Sequence, residues 1–567
     1  MVIRNFRLVI IAACVTSVLA TTPVAAEGFA GAYLAARRAF ADSDFPAASR
    51  YFTRALVQDP SNTELMENAL LAYVDQGDID RGLAIARRLI SKNPSHQVAN
   101  MLLLSEAVKT GNFEAAVALF EGDDAVGPLV DGLAMAWIQV ARGNMASALE
   151  AFDKVSKEPG LQSFGLYHKA LALALVGDFE GADDILSGRS GVTIPATRQG
   201  VIAQTEILSQ LERNEDAIAL MEEVFGTDLD QGLQLLNDQL EAGETLPFTA
   251  VRNAEDGLAE VFFSVAGALI GEANDGYTLV YTRVAEYLRP DHVDSILLTA
   301  QLLENLNQYD LATQAYNRIP RDDPAFYMAE LGRAEALQRS GNPDAAIEVL
   351  EQLSETHADL PDVFVTLGDS YRRLERYEDA AGAYDRAVAL YDTPDQSQWV
   401  LYYTRGIANE RIKKWDLAEA DFRMALELQP GQPQVLNYLG YSFVEMQINL
   451  DEALDMIERA VEARPNDGYI TDSLGWVLYR LGRYDEAVGF MERATELMAV
   501  DPIVNDHLGD VLWAVGRKRE AEFQWSRAMS FEPDEEDATR IRRKLEVGLD
   551  QVLEEEGADP ITTANDG

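Results

Sequence analysis

From Gly368 to Pro533 the chain repeats one pattern of apolar and polar positions: an apolar stripe at helical spacing that carries a small residue, a polar turn, then a second stripe that carries alanine. The small residues of the first stripe are Gly368, Gly406, Gly440, Gly475 and Gly509, at intervals of 38, 34, 35 and 34 residues. Those of the second are Ala380, Ala418, Ala453, Ala487 and Ala521, each followed four positions on by a larger apolar or aromatic residue. Four residues are about one turn along the same helix face, and two antiparallel helices approach closely only where the residues at their contact are small. The pattern therefore predicts an array of helix pairs, with the larger residues filling the seam between neighbouring repeats. Pro430, Pro465 and Pro533 follow the second helices, where proline stops a helix without breaking its interior.

Carried towards the N-terminus, the same frame falls on Ala334, Ala300, Ala266, Thr205, Ala170, Ala136, Leu104, Leu70 and Ala36. Every step is 32 to 35 residues except the 61 from Thr205 to Ala266. The fold class expected is an all-α solenoid of about 14 repeats, with no strand segment. Its organisation reads as a leader over residues 1–26, an N-terminal arm of degenerate repeats over 27–225, an irregular helix and loop over 226–254, a C-terminal array over 255–533, a charged capping helix over 534–556 and a disordered tail over 557–567. The loop around Pro247 is the candidate hinge between the two arms; a continuous solenoid with one irregular repeat is the alternative.

The copies TDSLGWVLYRLGRYDEAVGFMERATEL from Thr471 and NDHLGDVLWAVGRKREAEFQWSRAMSFEP from Asn505 resemble the tetratricopeptide (TPR) pattern of W-x2-L-G-x2-Y followed by A, F, A and P. The resemblance implies a right-handed superhelix whose first helices line a concave groove, and residues one and four positions after the small residue turn into it. Those positions hold Tyr441 and Val444, Trp476 and Tyr479, Asp510 and Trp513, and upstream on the same helices stand Asn437, Asp472, Asp506 and His507. Aromatic rings beside amide, carboxylate and imidazole groups suit an extended polypeptide. The competing reading packs Trp476 or Trp513 between adjacent repeats. A carboxylate clamp, which needs Lys, Arg and Asn in the groove, is disfavoured by the acidic and aromatic residues there.

The run NYLGYSFVEMQINLDEALDMIERAVEARPNDGYITDSLGWVLYRLGRYDEA from Asn437 resembles exported bacterial TPR proteins of similar length, among them adaptor lipoproteins that bind C-terminal processing proteases in the periplasm. That likeness implies a periplasmic adaptor whose partners are a protease and its substrates. Other exported TPR proteins are assembly factors for secretion, exopolysaccharide export or outer-membrane insertion.

Export is also read from the residues. Arg4 and Arg7 precede the apolar stretch Leu8 to Ala20, and Val24-Ala25-Ala26 offers a cleavage site before Glu27. The stretch is too short for a membrane span. The single cysteine, Cys14, ends Ile11-Ala12-Ala13-Cys14, which has the order of a lipobox but a short apolar segment before it; cleavage after Ala26 is the expected processing, and a lipid anchor at Cys14 the alternative. A formal charge of -47 sets the protein against nucleic acid and anionic membranes and towards basic polypeptides, while it also keeps a large solenoid soluble.

Catalytic and metal chemistry has no sequence signal. His96, His168, His292, His357 and His507 sit in different repeats without paired ligand spacing. There is no nucleophile elbow, phosphate loop or dinucleotide fingerprint, and Asp78-Ile79-Asp80 reads as a solvated turn rather than a calcium loop. No cofactor is expected. The reading is a non-catalytic scaffold; an enzyme site assembled across repeats is the alternative from another class.

Overall fold

The computed structural model describes residues 29–558, apart from 121–124, 190 and 227–228, and also residue 561. The leader, its cleavage site and Cys14 lie outside the described residues, as does most of the tail. Among the described residues there are 31 α-helices, one short 3-10 turn and no strand. Setting aside Gln231–Glu241 and the last two helices, the rest follow one another as fourteen pairs, such as Phe29–Ala41 with Phe45–Gln58 and Gly468–Arg480 with Tyr484–Leu497.

The small-residue frame is the packing frame. All nine N-terminal frame positions from Ala36 to Ala334 are buried, as are the five second-helix alanines. The larger residue four positions after each alanine lies against the first-helix glycine of its own repeat. A Cβ built at Gly368 would stand 2.5 Å from the Tyr384 ring, at Gly406 2.7 Å from Phe422, at Gly440 2.8 Å from Ile457, at Gly475 2.8 Å from Met491 and at Gly509 2.3 Å from Trp525. The seam these residues fill is thus inside the repeat, not between repeats as the sequence suggested. Gly509→Ala is expected to lower the stability of the C-terminal repeats by about 1 to 3 kcal/mol through overpacking. Gly382, mid-helix with nothing within 4 Å of its Cβ position, is the matched control: Gly382→Ala should raise stability by up to about 1 kcal/mol. Denaturant midpoints of the two variants measure both.

A second periodic marker lies at the turn between paired helices, where one residue takes a positive φ. Glycine supplies it at Gly77, Gly111, Gly143, Gly177, Gly341, Gly482 and Gly516, whereas Ser43, Glu212, Asn307, Glu375, Lys413 and Gln447 adopt it with a side chain. Many of the helices that follow start on a capping side chain: Asp44, Asp78, Asn112, Asn144 and Asp178 each accept from a backbone N–H of the first turn.

By compactness the chain divides into residues up to Ala346 and residues from Ile347 onward. The irregular segment lies inside the first unit. Its helix, Gln231–Glu241, is capped by Asp230, which also pairs with Arg198 at 2.6 Å. The loop after it is strapped to the helix Arg198–Gln210: Leu246 N–H donates to Ser209 Oγ at 2.9 Å, and Thr249 N–H and Oγ1 donate to Glu206 at 2.8 and 2.5 Å. Leu246 and Val251 are buried. The candidate hinge at Pro247 is therefore an anchored strap, and the division of the chain falls about a hundred residues later.

The charged C-terminal segment forms two helices, Glu535–Val547 and Leu549–Glu556, broken at Gly548 with φ 84°. Gly557 ends the second, and Ala558 and Ile561 pack against the core of the C-terminal repeats.

Candidate functional site

In the first unit the helices Ala254–Leu269 and Asp275–Leu288 cross the first helices of the N-terminal repeats, packing on Thr63–Asp75, Gln97–Lys109, Pro128–Ala141 and Gln162–Leu175. Gly257 permits the approach, since a Cβ there would stand 2.3 Å from the Trp137 ring. Polar groups inside this contact are paired: Tyr167 OH donates to Glu260 Oε1 at 2.9 Å, Trp137 Nε1 to His168 Nδ1 at 3.3 Å, and His168 Nε2 meets Ser264 Oγ at 3.3 Å. Burial pushes the Glu260 carboxyl up to about 8 and His168 down to about 3, so both are neutral at pH 7. The first helices of these repeats are thus packed over by two helices of the same chain.

In the second unit the first helices Pro433–Glu445, Gly468–Arg480 and Pro502–Ala514 pack side by side, and they bring the sequence-derived residues into one continuous layer. The Trp476 ring lies between His507, 4.0 Å away at 13°, and Tyr479, 4.8 Å away at 12°, and its Nε1 donates to Glu445 Oε1 at 2.8 Å. His507 Nδ1 is 2.9 Å from Asp472 Oδ2. Asp506 and Asp510 are bridged by Lys544 from the helix Glu535–Val547, whose Nζ reaches all four carboxylate oxygens at 2.7 to 2.9 Å. Trp525 Nε1 donates to Asp510 Oδ1 at 2.9 Å from the other side.

This layer is more closed than the sequence led us to expect. Trp476 is 6% exposed and Asp510 1%; Asp472, Tyr479, Asp506 and His507 are also buried. For these six the picture of open groove anchors is corrected: Asp472, Trp476, Asp506, His507 and Asp510 are engaged by the adjoining repeat or by the terminal helix, and Tyr479 stacks on Trp476 and meets Tyr484 within its own repeat. Asn437, Tyr441 and Trp513 remain half-buried. Trp513 carries Lys518 4.3 Å over its ring and has Gly548 against its edge. Val444 is core.

Lys544 and Arg540 are the residues that sequence reasoning missed. They stand 34 positions after Asp510 and Asp506, so the repeat frame carried one step further would have found them on a helix read only as a charged cap. Arg540 Nη1 is 3.5 Å from Asp510 Oδ2, and its guanidinium also pairs with Glu556.

Electrostatics follow from this burial. For His507, burial alone would lower the pKa, but Asp472, then Asp506 and Asp510, outweigh it and hold the imidazole above its ordinary value. For Asp506, burial raises the carboxyl, Lys544 opposes and Asp510 adds to the rise. A histidine whose folded pKa is raised contributes stability in full below its unfolded value of about 6.5 and loses it as pH climbs through the folded value. Thermal stability of the C-terminal repeats is therefore expected to fall as pH rises above about 6.5, and His507→Gln should flatten that slope. An unchanged slope in the variant would mean that another group titrates.

Among the described residues no group of His, Cys, Asp or Glu is arranged to hold a metal ion, and no helix is long and apolar enough to cross a membrane. Of the other histidines, His96 and His292 cap helix N-termini through Nδ1. Asp78 is likewise a cap, for Ile79–Ile90.

Comparison with known proteins agrees with the repeat frame. Tetratricopeptide-repeat family models match residues 33–96, 68–122, 365–433 and 447–502, and a further one matches 328–352. Similar proteins include the TPR repeat-containing protein PA4667 of Pseudomonas aeruginosa, 27% identical over 28% of this chain and 26% of that protein, and the human tetratricopeptide repeat protein 13, 25% identical over 31% of this chain and 20% of that protein. The matched stretch thus spans about a quarter of the length of these relatives or less. Among solved structures, similar chains occur in the APC/C hetero-tetramer Cut9-Hcn1 (16% identity, 91% of this chain and 96% of that one, TM-score 0.37) and in yeast Tom70 (13% identity, 94% and 97%, TM-score 0.33).

Proposed function

We propose that this chain, a tetratricopeptide-repeat solenoid, is a non-catalytic scaffold that binds polypeptide on the first helices of its C-terminal repeats. We further propose that it acts in the periplasm as an adaptor delivering substrates to a C-terminal processing protease. Tetratricopeptide arrays bind protein or peptide partners. The observation that carries the choice of site is the difference between the two units: two helices of the same chain pack over the first helices of the N-terminal repeats, whereas Asn437, Tyr441 and Trp513 of the second unit stay half-exposed beside an acidic and aromatic layer. A net charge of -47 favours partners with basic segments. Export rests on the leader pattern, and the protease partnership on the run from Asn437.

Affinity capture of the full chain from the envelope fraction, with the co-purifying proteins identified, tests the reading. A C-terminal processing protease should be retained, and adding the chain should speed that protease on its captured substrate. Tyr441→Ala should lose the partner with only a partial loss of melting, from the half-buried ring it removes. Recovery of secretion or outer-membrane assembly components instead would replace the protease reading. Intact mass of the exported protein should give Glu27 as the first residue; an acylated Cys14 would make the adaptor membrane-anchored.

A further inference from the structure

The first unit contains a cavity of about 720 Å³ between the turn Gln76–Asp80, the helices Gln97–Lys109 and Asp275–Leu288, and Arg318. Three cationic side chains line it, in a chain that is acidic overall: Lys109, Arg283 and Arg318. Arg283 forms part of its wall. Its side chain is 8% exposed and its guanidinium lies on Gly77, where a Cβ would stand 3.3 Å from Cζ.

Arg283 shares the carboxylate it pairs with. Nε and Nη2 both donate to the backbone carbonyl of Asp75, at 3.2 and 3.1 Å, and a carbonyl supplies no counter-charge. Burial pushes the Asp75 carboxyl well up, against the pull of Arg283. The remaining acid at the wall, Glu286, is shared: its Oε2 contacts Arg318 Nη1 and stands 3.6 Å from Arg283 Nη1. One carboxylate therefore serves two guanidinium groups. Lys109 is spent on the Tyr287 carbonyl and on Glu255 at 3.6 Å. A buried cation without full compensation is costly, and a bound anion removes the deficit.

A neutral donor completes the set. Gln76 lines the cavity, and its Oε1 accepts from Ser49 Oγ at 2.9 Å, a bond that does not use its amide N–H groups. At the rim, Asp78 is held by Arg81 at 3.3 Å while Asp80 is exposed, and these two carboxylates disfavour a large polyanion.

We propose that this cavity is a binding site for a small oxyanion, a carboxylate or phosphate group, held by the guanidinium groups of Arg283 and Arg318 and by the amide of Gln76. The bonds are charge-assisted and the site is distinct from the polypeptide face of the C-terminal repeats.

Isothermal titration of the full chain with inorganic phosphate, and separately with acetate, at constant ionic strength in chloride, tests it. Saturable one-site binding is expected with at least one of the two. Phosphate alone identifies the phosphate source, and acetate binding identifies the carboxylate. Arg318→Gln removes a donor and Gln76→Glu turns another into a repelling charge while keeping an acceptor for Ser49; each should weaken binding by at least about tenfold, the loss of one charge-assisted bond. Gln76→Glu decides the matter if Arg318→Gln melts early. Absence of saturable heat with both anions, or wild-type affinity in a folded Gln76→Glu, overturns the site.

Discussion

Lys544→Ala is expected to destabilise the C-terminal repeats by about 3 to 5 kcal/mol, the cost of removing one partner from a buried ion cluster. The lysine side chain has no solvent exposure and its Nζ bonds both Asp506 and Asp510. Without it two carboxylates face each other in a layer closed by Trp525, with the half-exposed Arg540 and the His507 imidazole as the remaining basic groups near them. They must either protonate or draw the helix Glu535–Val547 out of place to admit water. Lys544→Ala combined with Asp506→Asn and Asp510→Asn should recover much of the loss, because a neutral layer leaves no uncompensated charge behind. Denaturant unfolding of the three proteins measures this; a single variant as stable as wild type would mean that the ammonium is not what holds the terminal helix.

The cluster also shows what the sequence could and could not disclose. The fold was legible because close helix packing demands a small residue at a fixed point of each repeat, and Ala36, Leu70, Leu104 and the later frame positions all proved buried. Even Leu70 and Leu104, too large for the consensus, kept the frame because burial rather than size defines it. The partner of each small residue was misplaced, since periodicity says which residues recur but not whether Trp525 turns to Gly509 of its own repeat or to the next one. The helices over Ala254–Leu288 were recognised as a repeat, yet their position across the N-terminal first helices was hidden. That contact joins Trp137 to Gly257, far apart in sequence, and no repeat period encodes it. The only available cue was Gly257, in the first turn of a largely apolar helix.

The candidate face was legible as a set and not as a surface. Tyr441, Trp476, Asp510 and Lys544 occupy equivalent positions of successive repeats, and reading each repeat alone makes every one of them look outward. Side by side, each helix buries the residue of the one before it: His507 covers Trp476, and Lys544 covers Asp510.

Trp476→Ala therefore bears on stability first. The indole is stacked on two rings, bonded to Glu445 through Nε1 and overlain by Arg480 at 5.5 Å. Truncation opens a cavity between two repeats and removes a stacked partner from His507, so a loss of about 3 to 5 kcal/mol is expected, the usual range for a buried tryptophan. A residue that only anchored a ligand would leave melting unchanged while weakening partner binding by about 30-fold or more. Trp476→Phe separates packing from the hydrogen bond: it restores most of the ring area and should recover more than half of the lost stability, leaving the Glu445 carboxylate without its donor. Melting and partner affinity measured on the same two variants decide between the roles. Unchanged melting with lost binding in Trp476→Ala would return this tryptophan to the groove, whereas lower melting with intact affinity in the folded fraction would leave partner binding to Tyr441 and Trp513 on either side of it.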